Sequence, residues 1–320
     1  MNLRPLNLIL GMNLLAVIAA GAAMTHEATG LIGDTRQTRS EVLSSFCLDP
    51  NENILACDAK AKCVRVISRK DKLLAKWTLA FEPQVIACRS NGTVIVAGAG
   101  QVALLDPKGK IVASTNLPAL PMPMIPDSIR RDMDKAEIER RINSMRAVTG
   151  AATMGEDIFI CAKGNTGLTV YRMDSRLGGL TNIIKGLSGC CGQMDITAQG
   201  NTLYVANNGR SQIEMYDRDG KPTGAFGKNK EKPDSYFNGC CEPKNVCIGP
   251  DGSIYAAESA QCCVNRFSPD GTLLDRIGRV KRIAGCVRVT VALTRDTNRV
   301  YMLDTEHNTI HVLDRTDARR

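Results

Sequence analysis

Short stretches of alternating apolar and polar residues, separated by turn-forming residues, run along most of this chain. The clearest example covers residues 246–258 and 264–274, where Pro250, Asp251 and Gly252 interrupt the first stretch. Alternation with a period of two is typical of β-strands, and Pro-Asp-Gly is typical of the tight turn between two of them. The pattern therefore predicts hairpins of short strands.

The same pattern returns in six units, with a period of about 45 to 50 residues. The motifs that identify them start at residues 47, 86, 157, 196, 246 and 291, on average about 49 residues apart. Repeats of this length with several strands each predict a β-propeller, here with six blades. The last unit stops after its third strand, so we expect residues 28–43 to supply the strand that closes the ring.

A polar residue ends the second strand in four of the units: Asp58, Asn207, Glu258 and Asp304. Its side chain can bond the backbone of the following loop and close the turn. This arrangement resembles the NHL-repeat family of six-bladed, TolB-like propellers over residues 45–314. The resemblance implies an all-β fold, and it indicates little about function because that family includes binding scaffolds, lyases and sensors.

The N-terminal segment differs from the rest of the chain. Arg4 precedes an apolar run over residues 8–24, and the small residues 20–22 fit a cleavage site. The run predicts a signal peptide or a membrane anchor over residues 1–24. The body would then be exported to the periplasm or another extracytoplasmic space, with possible anchoring by residues 8–24.

The predicted organisation therefore has four parts. Residues 1–24 form the signal or anchor, 25–44 a linker or closing segment, 45–316 the propeller and 317–320 a tail. A proline-rich stretch begins at residue 118, and Ser128 is placed to cap a helix over about 129–146. We therefore expect a helical insertion over 118–148, lying on the rim or acting as a lid.

The 13 cysteines dominate the candidate chemistry. In a propeller blade, the loop that enters the first strand and the loop between the second and third strands open on the same face. Cys191, Cys241 and Cys286 each precede a first strand by five residues, which makes them equivalent. Eight cysteines, the face cysteines, are predicted to open on that face: Cys63, Cys190, Cys191, Cys240, Cys241, Cys262, Cys263 and Cys286.

Three kinds of chemistry fit the face cysteines. They could bind a metal, as four-sulfur zinc or as an iron–sulfur cluster. They could form disulfides between neighbouring loops, which suits an exported protein. They could also remain free thiols for redox or metal transfer. The other five cysteines, Cys47, Cys57, Cys88, Cys161 and Cys247, fall within first or second strands, where small thiols are common core residues.

Charge and motifs exclude several functions. The net charge of +8 is spread out, with no basic run of the kind that indicates nucleic-acid binding. The chain carries no recognised hydrolase, nucleotide-binding or haem-attachment motif. Four charged residues near the axis, Asp195, Glu242, Lys244 and Arg288, are mixed in sign and indicate salt bridges. His307 and His311 are interpreted as ordinary polar positions.

The leading hypothesis is a non-catalytic extracytoplasmic propeller that carries a cysteine-ligated metal or iron–sulfur centre. Its role would be electron transfer with protein partners in a membrane-associated assembly. The alternative is a disulfide-stabilised scaffold for protein–protein interaction. A propeller hydrolase or lyase is the third hypothesis.

Overall fold

The chain folds as a six-bladed β-propeller, and the part of it that the structure describes contains almost no helix. The computed structural model describes residues 24–32, 42–118, 133–134, 137–138, 145–227, 237, 239–258, 262–280 and 288–316. Within these residues, twenty-four strands form six antiparallel sheets of four strands each. The predicted fold class and the resemblance to NHL-like propellers are confirmed.

The strands are numbered along the chain and grouped by blade. Blade 1 contains β2 (Leu43–Leu48), β3 (Ile54–Asp58), β4 (Cys63–Ile67) and β5 (Leu73–Thr78). Blade 2 contains β6 (Val85–Cys88), β7 (Val94–Gly98), β8 (Gln101–Leu105) and β9 (Ile111–Asn116). Blade 3 contains β10 (Val148–Met154), β11 (Asp157–Gly164), β12 (Gly167–Met173) and β13 (Thr181–Leu187).

The second half of the ring repeats this plan. Blade 4 contains β14 (Asp195–Gln199), β15 (Thr202–Asn207), β16 (Gln212–Tyr216) and β17 (Pro222–Gly227). Blade 5 contains β18 (Asn245–Ile248), β19 (Ile254–Glu258), β20 (Cys263–Phe267) and β21 (Leu273–Arg279). Blade 6 contains β22 (Val289–Leu293), β23 (Arg299–Asp304), β24 (Thr309–Arg315) and β1 (His26–Ile32).

Strand β1 supplies the fourth strand of the last blade. It pairs with β24 in antiparallel register, from His26 opposite Arg315 to Ile32 opposite Ile310. The segment expected to close the ring was 28–43, and the observed strand begins two residues earlier. Joining the first strand of the chain to the last blade closes the ring through backbone hydrogen bonds and leaves no blade incomplete.

The direction of the strands defines two faces of the ring. Loops that enter a first strand, and turns between second and third strands, open on one face, named here the thiol face. Turns between first and second strands, and between third and fourth strands, open on the opposite face, named here the turn face. The antiparallel order within every blade fixes this assignment.

The core consists of aliphatic side chains packed between neighbouring blades. Ile95, Ile158 and Val205, which lie on second strands of three successive blades, are completely buried. Alternation along each strand sends one set of side chains to each neighbouring blade, which explains why second strands are apolar on both faces. The sequence pattern located these strands but not β10, the first strand of blade 3.

Two predicted elements fall mainly outside the described residues. These are the N-terminal signal or anchor and the helical insertion over 118–148, of which β10 occupies the last position. Within the described part of the chain, no helix has the length and apolar character needed to cross a membrane.

Candidate functional site

Three face cysteines converge on the thiol face beside blades 4 and 5. The Sγ atoms of Cys190, Cys240 and Cys241 all lie within 4.8 Å of one another. The Sγ atoms of the adjacent pair, Cys240 and Cys241, are 3.4 Å apart. Cys190 precedes β14 and the pair precedes β18, so equivalent loops of neighbouring blades build the cluster. We call these residues the thiol cluster.

Local backbone structure holds Cys190 in place. Cys190 begins a single 3-10 turn, Cys190–Gly192, and Gln193 N–H donates to the Cys190 carbonyl over 3.2 Å. The Cys190 N–H donates to Asn208 Oδ1 in the next blade over 2.7 Å. The preceding Gly189 has no room for a side chain, because a Cβ would come 2.7 Å from Leu168 Cδ1.

The Cys240–Cys241 segment combines exposure and burial. Cys240 is exposed, whereas Cys241 is buried and adopts a left-handed backbone with φ of 60°. Glu242 and Lys244, which follow directly, are also buried. The thiol cluster therefore has one side open to solvent and one side fixed in the protein.

Two residues connected to the thiol cluster carry buried donor atoms: Lys244 follows Cys241 by three residues, and Asn208 lies in the turn between β15 and β16. Asn208 Nδ2 and Lys244 Nζ have no hydrogen-bond partner among the described residues. Asn208 already holds the Cys190 backbone through its Oδ1 atom. Buried donors without partners are costly, and thiolate sulfur is an acceptor that would satisfy such donors.

The other face cysteines lie at different places in the ring. Cys63 and Cys263 are the first residues of β4 and β20, opposite Asp58 and Glu258 respectively. They are equivalent in position, as the sequence pattern indicates, but they lie in blades 1 and 5. Cys262 directly precedes Cys263. The side chain of Cys191, and Cys286 as a whole, lie outside the described part of the structure.

Cys263 is held as a protonated thiol. Burial raises its pKa to about 12, and the negative charges of Glu258 and Glu242 add to that shift. A neutral thiol at this position is a poor nucleophile and a poor metal ligand without a nearby cation. Among the described face cysteines, Cys190, Cys240 and Cys241 are the group of three whose Sγ atoms lie within 4.8 Å of one another, so the geometry favours the thiol cluster as the ligand site.

Polar residues close the propeller's axis near the thiol face. Arg288 donates to the backbone carbonyl of Gln84 over 2.9 Å and also to that of Thr149. Asp195 accepts from the Asn245 side chain and from the Val246 N–H. Arg288 thus bonds backbone carbonyls of two other blades, whereas the sequence indicated ordinary salt bridges for these axial charges.

The axis widens towards the turn face into a cavity of about 610 Å³. First strands of all six blades line it, and Cys47, Cys88 and Cys247 are part of its wall. Burial raises the pKa of the Cys88 and Cys247 thiols to about 12. The predicted strand positions of these thiols are correct, but they face the cavity. Cys57 and Cys161 are fully buried in the core, as predicted.

A second polar cluster lies at the end of β23. Ligand atoms of Asp304, Glu306 and His307 lie within 4.8 Å of one another, and His307 Nδ1 is 2.6 Å from Asp304 Oδ2. His311 Nε2 lies 3.9 Å from the same carboxylate oxygen. The sequence interpretation treated both histidines as ordinary polar positions. The sequence signal that could have revealed this cluster is the position of the two histidines, three and seven residues after Asp304.

Comparisons with known proteins support the fold. No protein-family model and no curated protein matches the sequence. The solved structures that it resembles are propellers. The calcium-binding protein regucalcin from Agrobacterium tumefaciens has 16% identity and a TM-score of 0.61, with 91% of this chain and 95% of that chain covered.

Two lyase structures are similar to the same extent. Virginiamycin B lyase from Staphylococcus aureus shares 15% identity at a TM-score of 0.57, with 89% of this chain and 98% of that chain covered. A streptogramin B lyase shares 13% identity at the same TM-score of 0.57, with coverages of 90% and 98%. At these identities, the likeness shows the six-bladed fold alone.

Proposed function

We propose that this propeller binds a thiophilic metal centre through Cys190, Cys240 and Cys241. The observation that carries the proposal is the distance of at most 4.8 Å that separates the three Sγ atoms. These residues come from two loops about 50 residues apart in sequence, so their convergence is a property of the fold. Three sulfur atoms at one place are the donor set that zinc and iron–sulfur centres use.

The geometry is close to what a tetrahedral centre needs. Zinc–sulfur bonds of about 2.3 Å place two ligand sulfurs about 3.8 Å apart. The observed spacing of 3.4 Å for one pair, with 4.8 Å as the upper bound, brackets that value. A cation would also favour the thiolate form of all three side chains. The fourth position is available to a further thiol or to water.

The chemical nature of the donors decides the class of metal. The Agrobacterium propeller is described as a calcium-binding protein, but calcium requires six to eight oxygen ligands. Sulfur donors select zinc, copper(I) or iron–sulfur centres. An iron–sulfur centre here would let the protein exchange single electrons with a partner on the thiol face, in a membrane-associated assembly outside the cytoplasm.

Metal analysis of anaerobically purified protein tests the proposal. We expect about one equivalent of zinc, or iron with labile sulfide and an absorbance band in the visible range. Cys190→Ser and Cys240→Ser should each remove the metal. Cys88→Ser, which alters a thiol in the axial cavity, is the matched control and should keep it. Added calcium should compete poorly.

The proposal fails if the protein is colourless, contains no metal and binds none when reduced. It also fails if Cys88→Ser and Cys240→Ser lose metal equally, because the thiol cluster would then have no special role. Thermal unfolding of each variant separates loss of ligand from loss of fold.

A disulfide-stabilised scaffold is the second candidate function. The approach of the Cys190 sulfur to within 4.8 Å of the Cys240 and Cys241 sulfurs favours it, since a bond from Cys190 to either of them would join neighbouring loops. In that case mass spectrometry of protein alkylated without reduction would find Cys190 and one cysteine of the adjacent pair blocked. Metal would be absent, and Cys240→Ser would weaken stability or partner binding without any change in colour.

A further inference from the structure

Exposed apolar side chains concentrate on one edge of the ring. Eight large apolar side chains are exposed in the described part of the structure, and five of them occupy the first or second position of a fourth strand. Leu73 and Leu74 begin β5, and Ile111 and Val112 begin β9, with exposures between 42% and 56%. Because fourth strands begin at the turn face, these four residues lie at the turn-face edge of blades 1 and 2.

Lysines surround these four apolar side chains. Lys70, Lys72 and Lys76 flank Leu73 and Leu74, and Lys108 and Lys110 precede Ile111. All five are exposed, and none of them forms an ion pair within the described structure. Each of the two lysine-bearing turns also contains one acid, and Asp49 lines a small cavity beside Trp77. Asp71 lies in the first turn, and Asp106 uses its carboxylate to accept the N–H groups of Lys108 and Lys110.

The two edges form one surface because the blades touch between them. Trp77 of β5 packs on the turn that carries the lysines of blade 2, and a Cβ added at Gly109 would come 2.2 Å from the indole. Trp77 is half-buried and is the single tryptophan of the chain. We call residues 70–77 and 108–112 the basic rim.

The combination of exposed lysines with two exposed aliphatic side chains at the start of a fourth strand is specific to blades 1 and 2. In blade 5, Leu274 is exposed at the same position, but the preceding turn contains Asp270 and no lysine. In blade 4 the fourth strand begins with Pro222 and Thr223. The repeat architecture therefore does not by itself require lysine and paired aliphatic side chains at this edge.

We infer that the basic rim docks on the surface of a bilayer that contains anionic phospholipids. Such a surface has two layers, the charged headgroups and the apolar acyl boundary beneath them. The lysines would contact the headgroups, and the exposed aliphatic side chains would reach the acyl boundary. The apolar run over residues 8–24, which the sequence predicts to be a signal peptide or a membrane anchor, would in the second case add an independent membrane-binding element to the same chain. Docking by the basic rim would turn the thiol face away from the bilayer.

Trp77 provides an internal probe for the test. The full-length protein is mixed with phosphatidylcholine vesicles, with or without about one third phosphatidylglycerol, whose acyl chains are brominated. We expect Trp77 emission to be quenched and shifted to shorter wavelength with the anionic vesicles only, and we expect added salt to reverse this. Attachment through residues 8–24 alone would bring protein to the vesicles without quenching Trp77.

Charge and apolar variants locate the effect. Lys72→Glu with Lys110→Glu, and separately Leu74→Ser with Val112→Ser, should each remove most of the quenching. At about fivefold in affinity for each lysine, the charge variant should bind at least 25-fold more weakly through this surface. Lys60→Glu with Lys185→Glu is the matched control, because these exposed lysines lie towards the thiol face.

Two results would overturn the inference. One is Trp77 quenching that is absent, or that the basic-rim variants leave unchanged while they remain folded. The other is sedimentation that shows a dimer which both variants convert to monomer, since the surface would then be an interface between copies of the chain.

Discussion

Asp58 and Arg65 lie seven residues apart and form an ion pair inside blade 1, where Arg65 Nη2 is 2.7 Å from Asp58 Oδ2. Asp58 ends β3, and Arg65 is the third residue of β4. The same Asp58 carboxylate accepts the Ala61 N–H of the intervening turn over 2.9 Å. One side chain therefore joins a turn to two strands.

The seven-residue relationship recurs in three other blades. Asn207 donates to Glu214 over 2.9 Å, and Asn265 donates to Glu258 over 2.6 Å. In blade 6 the seven-residue partner of Asp304 is His311, whose Nε2 lies 3.9 Å from the Asp304 carboxylate, and the same carboxylate accepts the Glu306 N–H of the turn. The predicted bond to the loop backbone is present at Asp58 and Asp304, whereas Asn207 and Glu258 bond a side chain of the third strand.

Replacing Asp58 should destabilise the protein strongly. Asp58→Ala leaves Arg65 without its partner in a site where the carboxylate is fully buried, so we expect a loss of about 3–5 kcal/mol in the free energy of unfolding. Arg69→Ala is the control, since its pair with Glu52 is more exposed and should contribute at most about 1 kcal/mol. Urea titration of both variants measures the difference, and equal losses would contradict the prediction.

Asp195 should make stability depend on pH. Desolvation at the axis raises the pKa of this carboxyl from 3.8 to about 7, although the Arg288 charge opposes the shift. Between these values the folded protein keeps a proton that the unfolded chain has lost. Its contribution to stability is therefore fully present below pH 3.8 and is lost as pH rises through about 7, by at most about 1.4 kcal/mol per unit.

Denaturation of the protein and of Asp195→Asn across this range isolates the contribution. We expect the stability of the unchanged protein, relative to the variant, to fall with rising pH and to level off above pH 7. A relative stability that rises over the same interval would show the opposite sign and contradict the assignment.

His307 should titrate above the usual value for histidine. Its hydrogen bond to Asp304 and the carboxylate charge raise its pKa. The resulting stabilisation is present below the unfolded pKa and is lost as pH rises through the folded value. Because His307 is 58% exposed at its side chain, solvent screening keeps the effect small. Nuclear magnetic resonance titration of the imidazole should show the raised pKa, and Asp304→Asn should return it towards normal.

Substitutions at Gly109 and Gly252 together test the contact between blades 1 and 2. Both have a left-handed backbone, with φ of 83° and 81°, but only a side chain at Gly109 would meet Trp77. Gly252→Ala should cost about 1 kcal/mol for its backbone conformation, whereas Gly109→Ala should cost about 1–3 kcal/mol more. Thermal unfolding measures the two costs, and a red shift of Trp77 emission should accompany Gly109→Ala alone.

Thiol reactivity should separate the thiol cluster from the core. Cys240 is exposed, whereas Cys57 and Cys161 are fully buried, and burial raises the pKa of Cys161 to about 12. Short alkylation of reduced, metal-free protein at pH 8 should therefore label Cys240 and spare the other two. Peptide mass spectrometry gives the reactivity of each site. Full labelling of Cys57 before unfolding would show that the core opens readily.

Much of the fold follows from local patterns. The strands β18 to β20 could be located because alternation and Pro-Asp-Gly turns are properties of neighbouring residues. The strand β10 was missed because it follows the insertion and its sequence, Val148–Met154, is rich in small residues and lacks the paired turn signal. The sequence also predicted that an N-terminal segment closes the last blade, but only the topology shows that the strand covers His26–Ile32 and pairs with β24 at the other end of the chain.

The sequence by itself determined the number of blades, the strand positions of the core thiols and the equivalence of the loops that carry Cys190 and Cys241. These depend on a repeating period and on short-range chemistry. The tertiary structure decided which thiols meet, because the distance between two loops depends on how the blades are arranged around the axis. It also placed Trp77 against Gly109 and joined two separate lysine-rich turns into one surface. Contacts between distant segments depend on packing in three dimensions, which no local pattern specifies.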